Sequence, residues 1–337
     1  MDDRDIALST ARDARAVHSV RPYWFLAALL LAVASATPWI GSRYHVSFMF
    51  LLCMHLAMAA TYDIVGGYMG YINLGHGAFF GLGAYVYGAT VLRGGNPVLG
   101  LLLATTAAGL FAGLVAVPVF RLRGVYFAIA TFGILKLLEV LAANLEPATG
   151  GTPGLSIPPT PSTLPTFFLM LAAAVAAVGL SGWICRSRLG LGLITVREDE
   201  DVAEVSGVNT RWIKRRMFML SALIPGFVGG TYMWQITYVD PVSAFGFEVS
   251  FTPIIMAMLG GTGTLAGPVV GTVFLTLVEE LLWSRLGYLQ LTMYGLVLVF
   301  IGLVMPGGLM RSRPFAHVYR VLAIPDHYGY RSGRRRP

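Results

Sequence analysis

Two charged residues, Lys136 and Glu139, lie within a stretch that is otherwise apolar from residue 124 to residue 145. Because they are three positions apart, they would share one face of a helix and could form an ion pair. Charges inside a membrane are costly and by default mark a route for protons, ions or a polar substrate. A self-neutralising pair that packs against a neighbouring helix fits the same spacing, so both roles stay open.

Asn73 and His76 are polar side chains in a glycine-rich stretch that runs from Gly66 to Tyr85. Each glycine costs a helix about 1 kcal/mol relative to alanine, so this density of glycine predicts a broken helix. Transporters use broken helices near the middle of the membrane to offer backbone groups to a substrate. Hydrogen bonding to neighbouring helices is an equally good account of His76.

A second glycine-rich stretch, Leu259–Pro268, contains Thr262 and Thr264. Its spacing does not match the dinucleotide-binding fingerprint, and it lies between apolar stretches rather than after a soluble strand. The simpler interpretation is a tight turn that separates one membrane crossing from the next. Asp63 falls near the predicted end of another crossing, where we expect the membrane interface to solvate its carboxylate.

The motifs of common enzymes are missing from the sequence. A P-loop requires Gly-Lys-Ser/Thr after a glycine-rich turn, and neither lysine, Lys136 or Lys214, follows a glycine. The six histidines show no His-Glu-x-x-His pairing, and the two cysteines, Cys53 and Cys185, cannot build a disulfide framework or a zinc site. We therefore predict no catalytic residues, no metal and no cofactor.

The composition is that of a membrane protein: 56% of the 337 residues are hydrophobic and only 12% are charged. Soluble globular proteins carry about 25% charged residues, so this chain cannot cover a water-facing surface. About ten stretches are apolar enough to cross a bilayer, which takes about 20 residues as a helix. The sequence thus predicts an all-α integral membrane protein of about ten transmembrane helices, some of them broken.

The distribution of lysine and arginine predicts the orientation of the chain. With the N-terminus in the cytoplasm, successive crossings place 20 of the 24 basic residues in cytoplasmic segments and three outside. This bias predicts cytoplasmic termini. It also explains the net charge of +7 by contact with anionic lipid, without nucleic acid. We expect a cytoplasmic N-terminal segment (residues 1–21), a transmembrane domain (22–306) and a basic cytoplasmic tail (307–337).

The largest predicted cytoplasmic loop spans residues 186–216. It combines an acidic cluster at Glu198–Asp201, a short helical stretch, a terminating glycine and a basic run before the next crossing. A solvated loop with a basic membrane anchor has the same features. The size of the loop and its position between two crossings favour a docking element for a cytoplasmic partner, and we name it the coupling segment.

Asp201-Val202-Ala203 followed by Gly207 resembles the Glu-Ala-Ala-x-x-x-Gly coupling loop of ABC importer permeases, with Asp for Glu and Val for the first Ala. Further blocks spread over residues 66–283 are similar to the LivM-type permease subunit of branched-chain amino acid ABC transporters. They are Asn73-Leu74-Gly75-His76-Gly77-Ala78-Phe79, Arg123-Gly124-Val125-Tyr126-Phe127-Ala128, Thr149-Gly150-Gly151-Thr152-Pro153-Gly154-Leu155 and the stretch from Leu259 to Pro268. The broader family includes urea, amide and sugar permeases. One departure is Ile134, which stands where that family commonly has an acidic residue after Phe-Gly.

The resemblance implies a permease subunit in the inner membrane of a bacterium that takes up branched-chain amino acids. Its partners would be a homologous LivH-like permease, two ATP-binding cassette subunits that hydrolyse the ATP, and a periplasmic substrate-binding protein. Asp201, Ala203 and Gly207 would couple the permease to the ATPases. A permease for urea, short-chain amides or other amino acids is the alternative within the same family.

We expect the translocation pathway to run past the two glycine-rich stretches. Glycine clusters inside a membrane leave backbone polar groups that protein, water or substrate must satisfy. The candidate residues along it are Asn73, His76, Phe79, Phe80, Thr262 and Thr264. The alternative from a different class is a proton-coupled secondary transporter, in which Lys136, Glu139 and Asp63 would form the proton relay.

Overall fold

The computed structural model describes residues 41–159 and 163–286, with isolated positions at 35, 37–39 and 295. The predicted first and last crossings, residues 22–40 and 286–305, fall almost entirely outside the described residues, as do the terminal segments 1–21 and 307–337. The long helices are α1 (Arg43–Asp63), α2 (His76–Leu92), α3 (Pro97–Val119), α4 (Val125–Asn144), α6 (Thr163–Arg186), α9 (Thr210–Ile236), α11 (Phe247–Gly260) and α12 (Ala266–Leu286). Shorter elements are α5 (Glu146–Thr149), β1 (Leu155–Ser156), α7 (Arg188–Glu198), α8 (Glu200–Val205), β2 (Tyr238–Val239) and α10 (Pro241–Ala244).

Six helical segments among the described residues are long and apolar enough to cross a membrane. They are Arg43–Tyr68, Pro97–Val119, Val125–Asn144, Thr163–Arg186, Thr210–Ile236 and Pro241–Gly260. The chain is therefore a helical, multi-pass membrane protein, as its composition predicts. The total of ten crossings and the cytoplasmic position of both termini stay predictions.

Helix α9 lies at the centre of the bundle and packs against α2 and α3. The backbones of α2 and α9 come very close, since a Cβ atom on Gly83 would lie 2.1 Å from the carbonyl oxygen of Gly226. A Cβ on Gly229 would lie 2.0 Å from the carbonyl oxygen of Phe80. Lipid tails are as apolar as leucine, so membrane helices associate largely through van der Waals contact, which small residues allow.

The predicted break in the first glycine-rich stretch is present. A π-helical turn, Ile64–Tyr68, continues α1, and an irregular segment follows before α2 begins at His76. The second glycine-rich stretch is also a turn, as predicted: α11 ends at Gly260 and α12 begins at Ala266. Both breaks lie in glycine-rich sequence. Glycine has a lower helix propensity than every other residue except proline.

The loops gather at two opposite ends of the bundle. At one end β1 pairs antiparallel with β2, with Leu155 opposite Val239, so the loops before α6 and after α9 lie side by side. At the other end, here named the coupling end, Arg123 of the α3–α4 loop forms an ion pair with Asp201 of the coupling segment. The basic loops at 121–123 and 186–216 thus share one end, which is consistent with the predicted alternation of crossings.

Candidate functional site

The coupling segment forms two short helices that meet at Asp199. The backbone of Asp199 is extended (φ −160°), which ends α7, and its side chain then starts α8. Its Oδ1 atom accepts hydrogen bonds from the backbone N–H groups of Asp201 (2.9 Å) and Val202 (3.1 Å). An aspartate in this capping position stabilises a helix by about 1 kcal/mol, which matters for a helix of six residues.

The end of α8 is fixed by the glycine that the motif places there. Gly207 adopts a left-handed conformation (φ +85°). This conformation is energetically unfavourable for any residue that has a side chain, but not for glycine. The chain then turns back, and the N–H of Val208 donates to the carbonyl oxygen of Ala203 (3.0 Å). Ala203 is fully buried, whereas Val205 is 91% exposed. One side of α8 therefore rests on the protein and the other projects away from it.

Glu200 ties the start of α8 to three other elements. Its carboxylate forms a salt bridge with Lys214 of α9 and accepts a hydrogen bond from the Tyr71 hydroxyl (2.6 Å). Arg123 lies 3.6 Å from it and also bonds the neighbouring Asp201 at 3.0 Å. Partial burial acts to raise the pKa of Glu200, but the hydrogen bonds from Lys214 and Tyr71 and the charge of Arg123 outweigh it. Its pKa is therefore below its ordinary value.

Lys214 differs from its predicted role. The sequence suggests a member of the basic run that meets lipid headgroups, but the side chain is only 2% exposed. A buried ammonium requires a charged partner, and Glu200 supplies it. The sequence signal for this pair was an acidic residue and a lysine within one loop; their separation of 14 positions gave no indication of contact.

Arg197 connects the coupling segment to both glycine-rich stretches. Its Nη1 atom donates a hydrogen bond to the carbonyl oxygen of Gly67 in the π-helical turn (2.7 Å). The N–H of Gly263, in the second stretch, donates to both carboxylate oxygens of Asp63, at 2.9 and 3.1 Å. A Cβ atom on Gly263 would lie 2.8 Å from Arg197 Nη1, so the three elements meet at one point. We name Asp63, Gly67, Arg197 and Gly263 the Arg197 junction.

The prediction that Asp63 is solvated at the membrane interface is wrong. Its exposed fraction is 0%, because the α11–α12 turn covers the end of α1 and supplies the N–H of Gly263.

Lys136 and Glu139 form the predicted ion pair, with 2.6 Å between Nζ and Oε2. Among the described residues no recorded ion pair or hydrogen bond connects that pair to Asp63, so the structure offers no continuous relay.

The predicted pathway residues of the first stretch are buried within this chain. Asn73 and His76 have exposed fractions of 0%, and the N–H of Gly77 donates to the Ser250 hydroxyl at 2.8 Å. The Asn73 Oδ1 atom accepts a hydrogen bond from the N–H of Gly75, and the His76 Nε2 atom lies 3.2 Å from the Thr61 hydroxyl. Asn73 Nδ2 is buried and has no partner among the described residues.

The remaining pathway candidates differ in their surroundings. Phe79 packs edge-to-face on Phe218, with ring centroids 5.4 Å apart, and Phe80 lies against Tyr232 at the same separation. Thr264 caps α12, because its hydroxyl accepts a hydrogen bond from the N–H of Gly267 (3.0 Å). Thr262 is partly exposed. The structure therefore links the second stretch to the end of α1 through Gly263 and Asp63. Asn73 and His76 are buried in this conformation, whereas Thr262 and Thr264 are partly exposed.

Comparison with known proteins shows which family this chain resembles. The family model described as "Branched-chain amino acid transport system / permease component" matches residues 44–305. The LivM permease of the Escherichia coli high-affinity branched-chain amino acid transport system is 28% identical, over 88% of this chain and 77% of LivM. The LivH permease of Salmonella typhimurium is 24% identical, over 76% of this chain and 91% of LivH.

More distant similarity extends to the LsrC permease of the Klebsiella pneumoniae autoinducer 2 import system, which is 26% identical over 52% of each chain. No solved structure matches the chain significantly. Because the family model covers well over half of the sequence, the chain belongs to the family of permease components of branched-chain amino acid transport systems.

Proposed function

We propose that this chain is one of two homologous permease subunits of an ATP-driven importer of branched-chain amino acids in a bacterial inner membrane. Similarity to both LivM and LivH supports a permease pair, because the two related proteins carry the same transport-system name. The observation that carries the proposal is the coupling segment, a short capped helix held against the membrane helices by charged contacts. The proposed importer also contains two ATP-binding cassette subunits and a periplasmic substrate-binding protein.

The proposed role of α8 is to enter a groove on an ATPase subunit. Val202 and Val205 are exposed apolar side chains on this helix, with exposed fractions of 59% and 91%. A helix that offers apolar residues to a groove is a common mode of peptide recognition. Because Glu200 fixes α8 to Lys214 and Tyr71, a movement of the ATPase would be transmitted to α9 and to the broken helix.

The Arg197 junction provides the second connection. A displacement of α7 would move the Arg197 guanidinium relative to Gly67, and Gly67 belongs to a π-helical turn, a rare geometry that often occurs at functional sites. The turn is joined through Asp63 to the loop between α11 and α12. We propose that this junction moves the two glycine-rich stretches together when the ATPases change state.

The translocation pathway is proposed to pass the two glycine-rich stretches near the coupling end. In the conformation described, Asn73 and His76 are closed off by neighbouring helices, which fits a barrier that opens during the cycle. The unpartnered Nδ2 atom of Asn73 supports this role, because an unsatisfied buried donor costs about 1–3 kcal/mol and gains from any water or substrate that reaches it. The proposed topology keeps ten crossings with both termini in the cytoplasm.

The experiment is uptake into proteoliposomes that contain the permease pair, the ATPases and the binding protein. ATP-dependent accumulation of leucine, isoleucine or valine is the expected result, and it should continue when a protonophore collapses the proton gradient. Accumulation that needs no ATP and stops with the protonophore would indicate a secondary transporter instead. Uptake of urea in place of leucine would indicate that the chain is a urea permease of the broader family.

A further inference from the structure

Helix α4 has the smallest fraction of buried residues among the six membrane-crossing helical segments. In its most apolar 18-residue stretch only 28% of the residues are buried, against 61% in the corresponding stretch of α9. The outward residues include Ile129, Leu137 and Val140, with exposed fractions between 55% and 61%. A Cβ atom on Gly133 would meet no atom within 4 Å, so this face is open at its centre.

The ion pair between Lys136 and Glu139 lies beside this open face. The side chains are 43% and 21% exposed, and among the described residues each forms its recorded salt bridge with the other alone. Lys136 is eight positions from the end of α4 at Asn144, which is about 12 Å along a helix axis. A lysine ammonium at that depth does not reach the near interface with ease, and hydrocarbon is a poor solvent for it. A polar or wet surface beside it would remove this cost.

We infer that Lys136 and Glu139 form a weak binding site for the zwitterionic head group of an amino acid, on a part of the translocation pathway that runs along the open face of α4. This face is turned away from Thr131, which contacts the first glycine-rich stretch. This inference rests on the proposed function. The Lys136 ammonium would bind the substrate's α-carboxylate, and the Glu139 carboxylate would bind its α-ammonium. Exposed apolar neighbours on the same helix, such as Leu137 and Val140, would contact the branched side chain.

The charges explain why a pair suits this task better than a single ion. Without substrate, Lys136 and Glu139 neutralise each other across 2.6 Å, so the empty site carries no net charge. When a zwitterion enters, each group exchanges one partner of opposite charge for another, and the net charge in the membrane stays zero. Such an exchange gives modest affinity, which a pathway needs because the substrate must also leave.

A structural role makes a different prediction. If the second permease covers the pair and only packs against it, replacing both charges with apolar residues of similar volume should be tolerated, since buried ion pairs are often replaced without loss of stability. We therefore expect Lys136→Met combined with Glu139→Leu to assemble normally but to reduce uptake about tenfold or more, as loss of hydrogen bonds to charged groups would do. Normal uptake by this double variant would overturn the inference.

Chemical rescue gives an independent test. In the assembled transporter, with Cys53 and Cys185 replaced by alanine, Lys136→Cys should lose uptake. Treatment with 2-aminoethyl methanethiosulfonate, which restores a positive charge at that position, should recover it, and the negatively charged sulfonatoethyl reagent should not. The matched control is Leu102→Cys, on the outward face of α3 and 60% exposed, which should react slowly with either aqueous reagent.

The outcomes separate this inference from the proposed function. If neither the wild-type transporter nor its cysteine-free parent shows ATP-dependent uptake of branched-chain amino acids, the proposed function fails. If the parent transports but Lys136→Cys retains full uptake, or reacts no faster than Leu102→Cys, the head-group site fails alone. Rescue by both reagents would indicate that volume and not charge is required, and would also overturn it.

Discussion

At the scale of single residues, Arg197 joins the coupling segment to the π-helical turn. Its hydrogen bond to the carbonyl oxygen of Gly67 connects residues 130 positions apart. We expect Arg197→Ala to leave assembly intact and to lower substrate uptake about tenfold, the effect of one charge-assisted hydrogen bond. Arg197→Lys should retain part of the uptake, because it keeps the charge but not the planar donor geometry.

The readout for Arg197 is the ratio of substrate transported to ATP hydrolysed. If the side chain transmits movement, hydrolysis should persist in Arg197→Ala while uptake falls, so the ratio drops. A parallel loss of both activities would show instead that Arg197 only holds α7 in place, and the junction would then have no part in coupling.

Glu200 and Asp201 are adjacent acidic residues with very different surroundings, which makes them a matched pair. Glu200→Gln leaves the ammonium of Lys214 buried without a counter-charge and should destabilise the permease by about 3 kcal/mol. Asp201→Asn should have little effect, because its partner Arg123 and Asp201 itself are both exposed to solvent. Thermal unfolding of the purified complex compares the two, and equal midpoints would contradict this account.

The pH dependence follows from the same pair. The pKa of Glu200 is lowered in the folded protein, so its contribution to stability is fully present above the ordinary carboxyl pKa. That contribution is lost as the pH falls through the lowered value. We expect the difference in unfolding midpoint between wild type and Glu200→Gln to be constant near neutral pH and to shrink in acid.

At the scale of helices, α8 is the element whose exposed side can be tested without disturbing its fold. Ala203→Arg would place a charged side chain in a fully buried position, and Gly207→Arg would force a side chain into a left-handed backbone, so both also disturb α8 itself. Val205→Arg changes a side chain that is 91% exposed. We predict that it reduces uptake to about a tenth or less, as charge at the centre of an interface would.

The measurement for α8 is copurification of the ATPase subunits with the permease pair, together with uptake. Val205→Arg should weaken both while the permease pair still forms. Ser206→Arg is not an equal control, because that side chain bonds the Val202 carbonyl oxygen. Val242→Arg, 68% exposed in α10 at the opposite end, is the matched control and should bind the ATPases normally.

The broken helix between α1 and α2 has one residue suited to a test of the pathway. Gly75→Leu would clash, because a Cβ atom there already lies 2.4 Å from the carbonyl oxygen of Thr131, so lost uptake would not separate a pathway from a packed contact. Asn73→Ala removes the unpartnered donor together with the Oδ1 atom that accepts a hydrogen bond from the N–H of Gly75. We expect it to slow uptake while the order of preference among leucine, isoleucine and valine stays the same. Unchanged rates in a folded complex would place the pathway elsewhere.

The helices and their breaks could be predicted because each depends on local composition. Apolar length identified the six membrane-crossing segments among the described residues, and the glycines around Gly66 and Gly260 identified the two interruptions. The burial of Asp63 and the pairing of Glu200 with Lys214 could not be predicted, because both depend on loops that meet only in the folded bundle. Gly207 lies between these cases: its motif gave the end of α8, but only the structure shows which side of α8 is free.

At the scale of the whole molecule, the orientation in the membrane is the property that every functional proposal assumes. The paired strands put Leu155 beside Val239, and the ion pair between Arg123 and Asp201 lies at the coupling end. If basic residues face the cytoplasm, the first of these ends is periplasmic and the coupling end is cytoplasmic. This assignment follows from 20 of the 24 lysines and arginines.

Labelling of single cysteines tests that orientation in intact cells, with Cys53 and Cys185 replaced. Thr152→Cys and Ser243→Cys are exposed near the paired strands and should react with a membrane-impermeant maleimide from outside. Ser206→Cys, exposed beside α8, should react only after the membrane is opened, because the proposed topology places the coupling end on the cytoplasmic side. Since β1 and β2 are paired, Thr152 and Ser243 must label together whichever way the protein is inserted. Reaction of Ser206→Cys in intact cells would show that the orientation is the reverse of the proposed one. The coupling segment would then lie outside the cell, where no cytoplasmic ATPase could bind it.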